Sequence, residues 1–308
     1  MRHTAKGFHS QKLSPNNYLQ ISSKFRAEAH PQHGLLRGRE FLMKDLYTFD
    51  CDHASATRTY EQVRECYEKI FLRRLHLPVV SLRADPGLIG GDLSHEFHLA
   101  AEVGEDKIAV NDATGHVTSD VDDVGDGYQV KNTIELGHAF LLGDVYSKRL
   151  HVKFMGENGK AGTCQMGCYG VGVTRVVAAA LETMSTEGGL RWPKAIAPYK
   201  VCVVTAREGS KSFERSCLVG DRLYDEIDGE KGLKGDVLLD DRHRDTIGWR
   251  LKQAKLIGHP LVVVVGNDVV EGKVEVIDQN DGGSTLLHVD QVASYVRDYF
   301  QDSQSCSP

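Results

Sequence analysis

Residues 24–45 read KFRAEAHPQHGLLRGREFLMKD, and this stretch decides the fold of the first half of the chain. The stretch opens with Phe25-Arg26-x-Glu28, continues through a short polar segment with Pro31 and Gly34, and becomes apolar again at Leu35-Leu36 and around Phe41. The pattern predicts two strands of a hairpin joined by a long loop. The hairpin would carry many charges among its apolar side chains, namely Arg26, Glu28, Arg37, Arg39, Glu40, Lys44 and Asp45.

The charges on this hairpin allow two interpretations. Burying an unpaired charge costs on the order of several kcal/mol, whereas an arginine fork on a rigid strand suits a phosphate oxygen or a carboxylate. The hairpin would then bind an anionic ligand. Alternatively, it is a solvated hairpin held by surface salt bridges.

A second signal lies in residues 166–175, which read MGCYGVGVTR. The run predicts a glycine-rich strand leading into a helix, with apolar residues at helical spacing from Val173 to Met184 and Arg175 in the first turn. A helix N-terminus carries positive potential, and with an arginine beside it this site suits phosphate. The glycines do not follow G-x-G-x-x-G, so a dinucleotide site is a poor fit.

The two segments together resemble a known family. Phe-Arg-x-Glu, a loop and then Arg-Glu-Phe-x-Met-Lys-Asp is similar to the second signature motif of class II aminoacyl-tRNA synthetases, in the form of the bacterial-type and mitochondrial prolyl-tRNA synthetases. The glycine-rich run resembles the third motif. The resemblance implies that Arg26 holds the ATP α-phosphate, Glu28 lies near the adenine, Phe41 stacks on it and Arg175 binds the γ-phosphate. The loop departs from the family pattern at Ala27, His30, Gln32 and His33.

The same resemblance implies a proline pocket. Gly-Gly-x-x-Ser-His-Glu-Phe is similar to the prolyl pattern in which the histidine contacts the substrate, so His95 takes that role and Glu96 fixes its tautomer. Cys168 would border the proline ring. Glu135 and His138 are secondary candidates beside the substrate, although hydrogen-bonded core residues explain them nearly as well.

The implied reaction uses ATP and Mg²⁺. Proline's carboxylate attacks the α-phosphate while the two arginines hold the triphosphate and Mg²⁺ bridges its oxygens. No general base is needed, because the attacking carboxylate is already ionised at neutral pH. Transfer of the prolyl group to tRNA(Pro) would follow.

The second half of the chain has a different pattern. Apolar strand and helix segments alternate, which predicts an α/β domain with a mixed sheet, similar to class IIa anticodon-binding domains. The overall fold class is therefore α/β (α+β), with an incomplete antiparallel-sheet catalytic domain first. We expect an unmatched segment at 1–12, the catalytic core at 13–192, a linker at 193–198 and the anticodon-binding domain at 199–308.

One dense basic cluster in the second domain is a candidate tRNA contact. The resemblance suggests that its members bind anticodon-stem phosphates and bases, although a solvated basic face is an equally simple explanation. The net charge of -6 argues against indiscriminate nucleic-acid binding. The cluster consists of Arg242, Arg244, Arg250 and Lys252.

Composition excludes several other classes. The seven cysteines form no C-x-x-C pair, so we predict neither a zinc site nor a disulfide framework, and we assign no metal ligand. No run of 18 apolar residues predicts a membrane span. The basic start, MRHTAKGFHSQK, faintly resembles an organelle presequence, with a disordered terminus as the simpler reading. The resemblance favours the mitochondrial matrix, and the cytoplasm is the alternative.

Three expectations concern what the chain lacks. The family's homodimer motif and a substrate loop precede the hairpin and have no counterpart here, so we expect a shortened chain with weak ATP binding and abnormal dimerisation. The 33 residues at 103–135 are too few for the editing domain of typical bacterial prolyl enzymes, so we predict no editing in cis. The alternative hypothesis is a non-catalytic nucleic-acid-binding relative, such as the accessory subunit of mitochondrial DNA polymerase, or an inactive shortened product.

Overall fold

The computed structural model describes residues 16–122, 124–156 and 159–301. The segment expected at 1–12, the loop residue Asp123 and Cys306 lie outside the described residues. The chain divides into two compact units. The first consists of Met1–Leu72 and Leu77–Ala179, and the second of Arg73–His76 and Ala180–Pro308.

The first unit is built on an eight-stranded antiparallel sheet. Its central path has the order β1-β2-β10-β7-β4-β3, and the β5–β6 hairpin joins it through β7. A separate two-stranded ladder, β8–β9, completes the unit. The strands are β1 (Asn16–Phe25), β2 (Glu40–Asp50), β3 (Val79–Ala84), β4 (Leu93–Ala100), β5 (Asp106–Asn111), β6 (His116–Thr118), β7 (Gln129–Gly143), β8 (Lys153–Met155), β9 (Ala161–Thr163) and β10 (Gln165–Gly172).

The predicted hairpin is present. β1 and β2 pair from Asn16↔Phe49 to Phe25↔Glu40, and residues 26–39 form the loop between them. At the loop tip, His33 (φ 53°) and Gly34 (φ 59°) both adopt the left-handed region, and Leu36 N donates to His33 O at 3.1 Å. The loop therefore has a defined tight turn.

The glycine-rich strand lies in the middle of the sheet. β10 pairs with β2 on one side and with β7 on the other, and it leads directly into helix α3 (Val173–Met184). Close packing requires glycine at Gly137 on β7, because a Cβ there would lie 2.9 Å from the backbone oxygen of Gly170. The prediction of a glycine-rich strand followed by a helix is confirmed.

One face of this sheet is covered by helix α1 (His53–Glu68). The helix begins at Asp52, whose side chain accepts from Ser55 N at 2.7 Å, and it continues as a π-helix over Lys69–Arg74. Buried Tyr67 and Phe71 pack against Phe97 of β4, with ring centroids 5.1 and 5.8 Å apart. A short helix, α2 (Val145–Arg149), follows β7.

The second unit has the predicted mixed sheet, in the order β12-β11-β13-β14-β15. β11 is parallel to β12 and β13, whereas β13, β14 and β15 are antiparallel. Valines from the inner strands form its buried core with the helices. The elements are β11 (Val201–Thr205), α4 (Phe213–Asp228), β12 (Val237–Asp240), α5 (Ile247–Ile257), β13 (Leu261–Val265), β14 (Lys273–Asp278), β15 (Ser284–His288) and α6 (Val292–Gln301).

Among the described residues, no helix is long and apolar enough to cross a membrane. The stretch at 103–135 holds the β5–β6 hairpin and the start of β7. The structure agrees with the prediction of a stretch too short for a further domain. The absence of editing in cis stays a prediction.

Candidate active site

A cavity of about 620 Å³ opens on the first unit, walled by β2, β7, β10, the hairpin loop and the start of α3. Most of the residues singled out from the sequence line it together, although they come from distant parts of the chain. They are Arg26, Glu28, Phe41, Glu135, His138, Cys168 and Arg175.

Arg26 and Phe41 form one wall. The Arg26 guanidinium carbon lies 5.0 Å from the centroid of the Phe41 ring, and its Nη2 is 4.0 Å from Met43 Sδ. Backbone N of Arg26 donates to Arg39 O at 2.9 Å, which fixes its position at the end of the hairpin ladder. The guanidinium therefore rests against an aromatic face.

Arg175 forms the other wall, in the first turn of α3. Its Nε donates to Leu36 O at 3.0 Å and its Nη1 donates to Glu135 O at 2.9 Å. The Glu135 carboxylate oxygen Oε2 lies farther away, at 4.0 Å from Nη1. The arginine therefore connects the hairpin loop to β7 through backbone carbonyls, and both predicted phosphate-binding arginines line one cavity.

Glu28 is held by an arginine of its own loop. Arg37 Nε lies 3.0 Å from Glu28 Oε2, and His30 N donates to Oε1 at 3.2 Å. The hydrogen bond from Arg37, followed by that from His30, lowers the pKa of the Glu28 carboxyl below its ordinary value. Glu28 is therefore an anionic group at the cavity wall.

Two carboxylates flank His138, which lines the cavity together with Glu135. His138 Nδ1 lies 3.1 Å from Glu135 Oε1 and 3.5 Å from Glu96 Oε1. Ionised carboxylates only accept, so Nδ1 carries the hydrogen. Burial is the largest influence on Glu135 and would raise its pKa, but the bond from His138 together with the charges of His138, Arg175 and His98 lowers the pKa below its ordinary value. Ligand atoms of Glu96, Glu135 and His138 all lie within 4.8 Å of one another, a grouping that the sequence did not predict.

His95 lies elsewhere, which corrects the sequence analysis. Its Nδ1 is 2.6 Å from Tyr60 Oη and its Nε2 is 3.3 Å from Arg64 Nη1, both on α1. Arg64 only donates, so Nε2 accepts and Nδ1 carries the hydrogen. Burial, with the nearby Arg64 charge, lowers the pKa of His95 to about 4, so the ring is neutral.

The position of His95 follows from the alternation of side chains along β4. Successive side chains of a strand point to opposite faces, so His95 faces α1 while Glu96 faces the cavity side. Glu96 accordingly accepts from His98 Nε2 at 2.9 Å instead of setting the tautomer of His95. In this structure His95 contacts α1 and does not line the cavity, and Glu96 bonds His98 and not His95; the substrate role of His95 stays a prediction.

Part of the β2 wall was not predicted from the sequence. Met43, Asp45 and Tyr47 line the cavity beside Phe41, and buried Asp45 pairs with Lys24 Nζ at 2.8 Å. The signal was present in the sequence: counting every second residue from Phe41 along a strand identifies these side chains. Cys168 lies on the neighbouring strand, and burial raises the pKa of its thiol to about 11.

In the second unit, one of the predicted tRNA contacts is a core residue. Arg250 is fully buried and donates to Asp240 O at 3.2 Å and to Thr205 O. Thr205 and Asp240 are the last residues of the neighbouring strands β11 and β12, so the buried guanidinium satisfies two carbonyls at the ends of these strands. The prediction that Arg250 contacts tRNA is therefore wrong.

The other basic residues of that cluster are exposed. The Arg244 side chain is 95% exposed, Lys252 is exposed on α5, and Arg242 lies with its guanidinium carbon 5.2 Å from the Trp249 ring centroid. Arg242 is anchored by Asp240 Oδ2 at 2.6 Å. A surface hollow of about 430 Å³ lies here, lined by Glu208, Asp241, Arg242, His243, Arg244 and Asp245.

Comparison with known families agrees with the fold and the cavity. The family model for the tRNA synthetase class II core domain (G, H, P, S and T) matches residues 3–184, and the anticodon binding domain matches residues 200–299. Since the first match covers more than half of the chain, the protein is a class II tRNA synthetase by family. The match begins at residue 3, earlier than the expected start at Leu13.

Proteins with similar sequences identify which class II tRNA synthetase family the chain belongs to. The human protein named probable proline–tRNA ligase, mitochondrial, is 43% identical over 92% of this chain and 62% of its own length. A similarly named Schizosaccharomyces pombe protein is 40% identical over 92% of this chain and 68% of its own, and proline–tRNA ligase of Anaplasma phagocytophilum is 36% identical over 92% and 70%. The chain therefore belongs to the proline–tRNA ligase family. It spans about three-fifths of the human, rat and mouse relatives.

Solved structures agree at the level of the fold. Prolyl-tRNA synthetase from Cryptosporidium parvum, complexed with L-proline and AMP, matches with a TM-score of 0.75 at 20% identity. The match covers 94% of this chain and 56% of that one. The same protein complexed with halofuginone and AMPPNP gives a TM-score of 0.77.

Proposed function

We propose that this chain works as a proline–tRNA ligase, which activates proline with ATP and transfers it to tRNA(Pro). The observation that carries the proposal is that Arg26 and Arg175, about 150 residues apart in sequence, line one cavity. Two fixed guanidinium groups suit a triphosphate, because adenylate formation depends mainly on positioning and on fixed positive charge.

In the proposed reaction, each arginine has a separate task. Arg26 stabilises the negative charge that develops on the α-phosphoryl oxygens, with Phe41 as the face on which the adenine stacks. Arg175 holds the far end of the triphosphate from its position between Leu36 O and Glu135 O. Proline's carboxylate attacks without a general base, because it is ionised at neutral pH.

Mg²⁺ fits the donor set of the cavity. Glu96 and Glu135 present carboxylate oxygens, the ligand type that Mg²⁺ prefers, whereas the nitrogen of His138 suits it poorly. These two carboxylates would hold the ion, which would supply positive charge for the phosphoryl oxygens of the nucleotide. On the proline side, His138 and Cys168 border the remaining space of the cavity.

Partners and location follow from the family. We place tRNA on the exposed face of the second unit that carries Arg242, Arg244, Lys252 and Trp249, because flexible single-stranded bases stack on exposed aromatic rings and their phosphates pair with basic side chains. The proposed compartment is the mitochondrial matrix, since the human and S. pombe relatives are named mitochondrial. Homodimer formation remains a proposal from the family.

Proline-dependent exchange of pyrophosphate into ATP tests the activity directly. We expect measurable exchange that falls by roughly 100-fold in R26A and in R175A, the loss typical of removing one charge-stabilising donor. The matched control is R149A, because Arg149 is an exposed arginine on α2 of the same unit. Binding of tRNA(Pro) without any exchange would instead support the non-catalytic alternative.

A further inference from the structure

One carboxylate outside the recognised motifs clamps the hairpin loop. Glu105, in the turn between β4 and β5, accepts from Gln32 Nε2 with one oxygen and from Arg37 Nη1 with the other. Its side chain is one-third exposed, so the carboxylate is partly shielded from water. The sequence predicted no role for any residue of this turn. Glu105 nevertheless contacts the hairpin loop, which lines the cavity.

The two loop residues that Glu105 holds lie on either side of the loop tip. Gln32 N donates to Arg37 O at 3.1 Å, and the two residues form an isolated antiparallel bridge. Between them, His33 and Gly34 make the left-handed turn. Glu105 therefore fixes both strands of a small hairpin at once, and Gln32 is one of the positions where this loop departs from the family pattern.

The clamp is connected to both proposed nucleotide contacts. Arg37 also bonds Glu28 through Nε at 3.0 Å, so Glu105, Arg37 and Glu28 form one chain of charge-assisted hydrogen bonds. The neighbouring carbonyl, Leu36 O, accepts from Arg175. A displacement of the loop tip would thus release Glu28 and Arg175 together.

We propose that Glu105 is a positioning residue for the nucleotide site, which acts through Arg37 by holding the loop tip in its binding shape. A preordered loop lowers the conformational entropy lost when a ligand binds. The nature of the ligand rests on the proposed function, whereas the ordering of the loop does not. Under the proposed function proline occupies the part of the cavity bordered by His138 and Cys168, so we expect its affinity to be independent of Glu105.

The first test measures the loop itself. Hydrogen exchange of residues 26–39 and trypsin cleavage after Arg37 and Arg39 should both increase about 5-fold or more in E105A, because the loop opens more often. The matched control is E102A, since Glu102 is an exposed glutamate in the same turn. Equal exchange and equal cleavage in E105A, E102A and the unchanged chain would overturn the proposal.

The second test measures binding of AMPPNP by calorimetry. We expect its Kd to rise about 5- to 10-fold in E105A, with proline affinity unchanged, and less in E105Q, which keeps an acceptor for Gln32. The double variant E105A/R37A should bind only slightly more weakly than R37A, because Glu105 acts mainly through Arg37 and only its bond to Gln32 remains to be lost. If the losses of AMPPNP affinity in E105A and R37A were fully additive in the double variant, Glu105 would not act through Arg37. If E105A loosens the loop while the unchanged chain does not bind AMPPNP at all, the clamp stands and the proposed function fails.

Discussion

At the scale of single residues, Lys44 shows how burial sets a charge. It lies on β2 between two residues of the cavity wall, but its Nζ contacts Tyr67 Oη and lies 3.1 Å from Tyr169 O, below α1. The ammonium also faces the Tyr67 ring, 4.5 Å from its centroid. Burial lowers the pKa of Lys44 to about 8, because no carboxylate compensates its desolvation fully.

This lowered pKa predicts a pH-dependent stability. The pKa of Lys44 is higher in the unfolded chain than in the folded one, so the folded state favours the neutral amine. The contribution of Lys44 to the free energy of unfolding is therefore most favourable above the unfolded pKa, and this advantage is lost as the pH falls through about 8. Relative to K44M, the unchanged chain should gain about 1 to 2 kcal/mol in unfolding free energy between pH 7 and pH 9.5. Urea unfolding at the two pH values measures this difference, and a constant difference would contradict it.

Arg250 and Arg244 give a second contrast between single residues. Removing the buried guanidinium in R250A leaves two carbonyls unpaired and should destabilise the second unit by about 2 to 4 kcal/mol. R244A removes an almost fully exposed side chain, so its stability should change by less than about 0.5 kcal/mol while tRNA affinity falls. Thermal unfolding and tRNA filter binding separate the two effects. A stable R250A with weak tRNA binding would restore Arg250 as a contact.

At the scale of elements, the central strands require glycine for different reasons. A Cβ at Gly137 would lie 2.9 Å from a backbone oxygen of β10, whereas a Cβ at Gly170 would lie 2.7 Å from the mobile end of the Met43 side chain. Backbone cannot move without separating two paired strands, but a methionine tip can rotate. The same substitution should therefore have unequal effects on neighbouring strands.

We expect G137A to destabilise the first unit by about 1 to 3 kcal/mol and G170A by clearly less. Chemical unfolding followed through tyrosine fluorescence measures both. The larger loss in G170A would show that the Met43 side chain, rather than the strand spacing, limits the packing of this sheet.

At the scale of the whole molecule, selectivity for proline over other amino acids depends on the cavity alone if the chain does not hydrolyse wrongly charged tRNA. Alanine is smaller than proline, and a difference of about one methylene in an apolar site discriminates only about 10- to 200-fold. We expect alanine-dependent exchange within that range below the proline rate, and alanyl-tRNA(Pro) that persists after its formation. Rapid clearance of alanyl-tRNA by the purified chain would show that editing is present.

Much of this organisation was predictable. Alternating apolar residues and turn residues fixed the hairpin, the glycine run predicted β10 and α3, and the strand–helix alternation predicted the mixed sheet of the second unit. These features are local, so short-range periodicity encodes them. The resemblance of the two motifs to class II synthetases was equally local, and the family matches confirmed it.

The amino-acid sequence by itself determined which segments are strands and helices, and which arginines are candidates for phosphate. Tertiary structure decided the face on which each candidate points: His95 lies under α1, Glu96 faces the cavity, Arg250 is a core residue and Glu105 reaches the loop. The physical reason is that strand pairing and packing set these directions through residues far apart in the chain. One position along a strand reverses the face of a side chain, and no local pattern reports it.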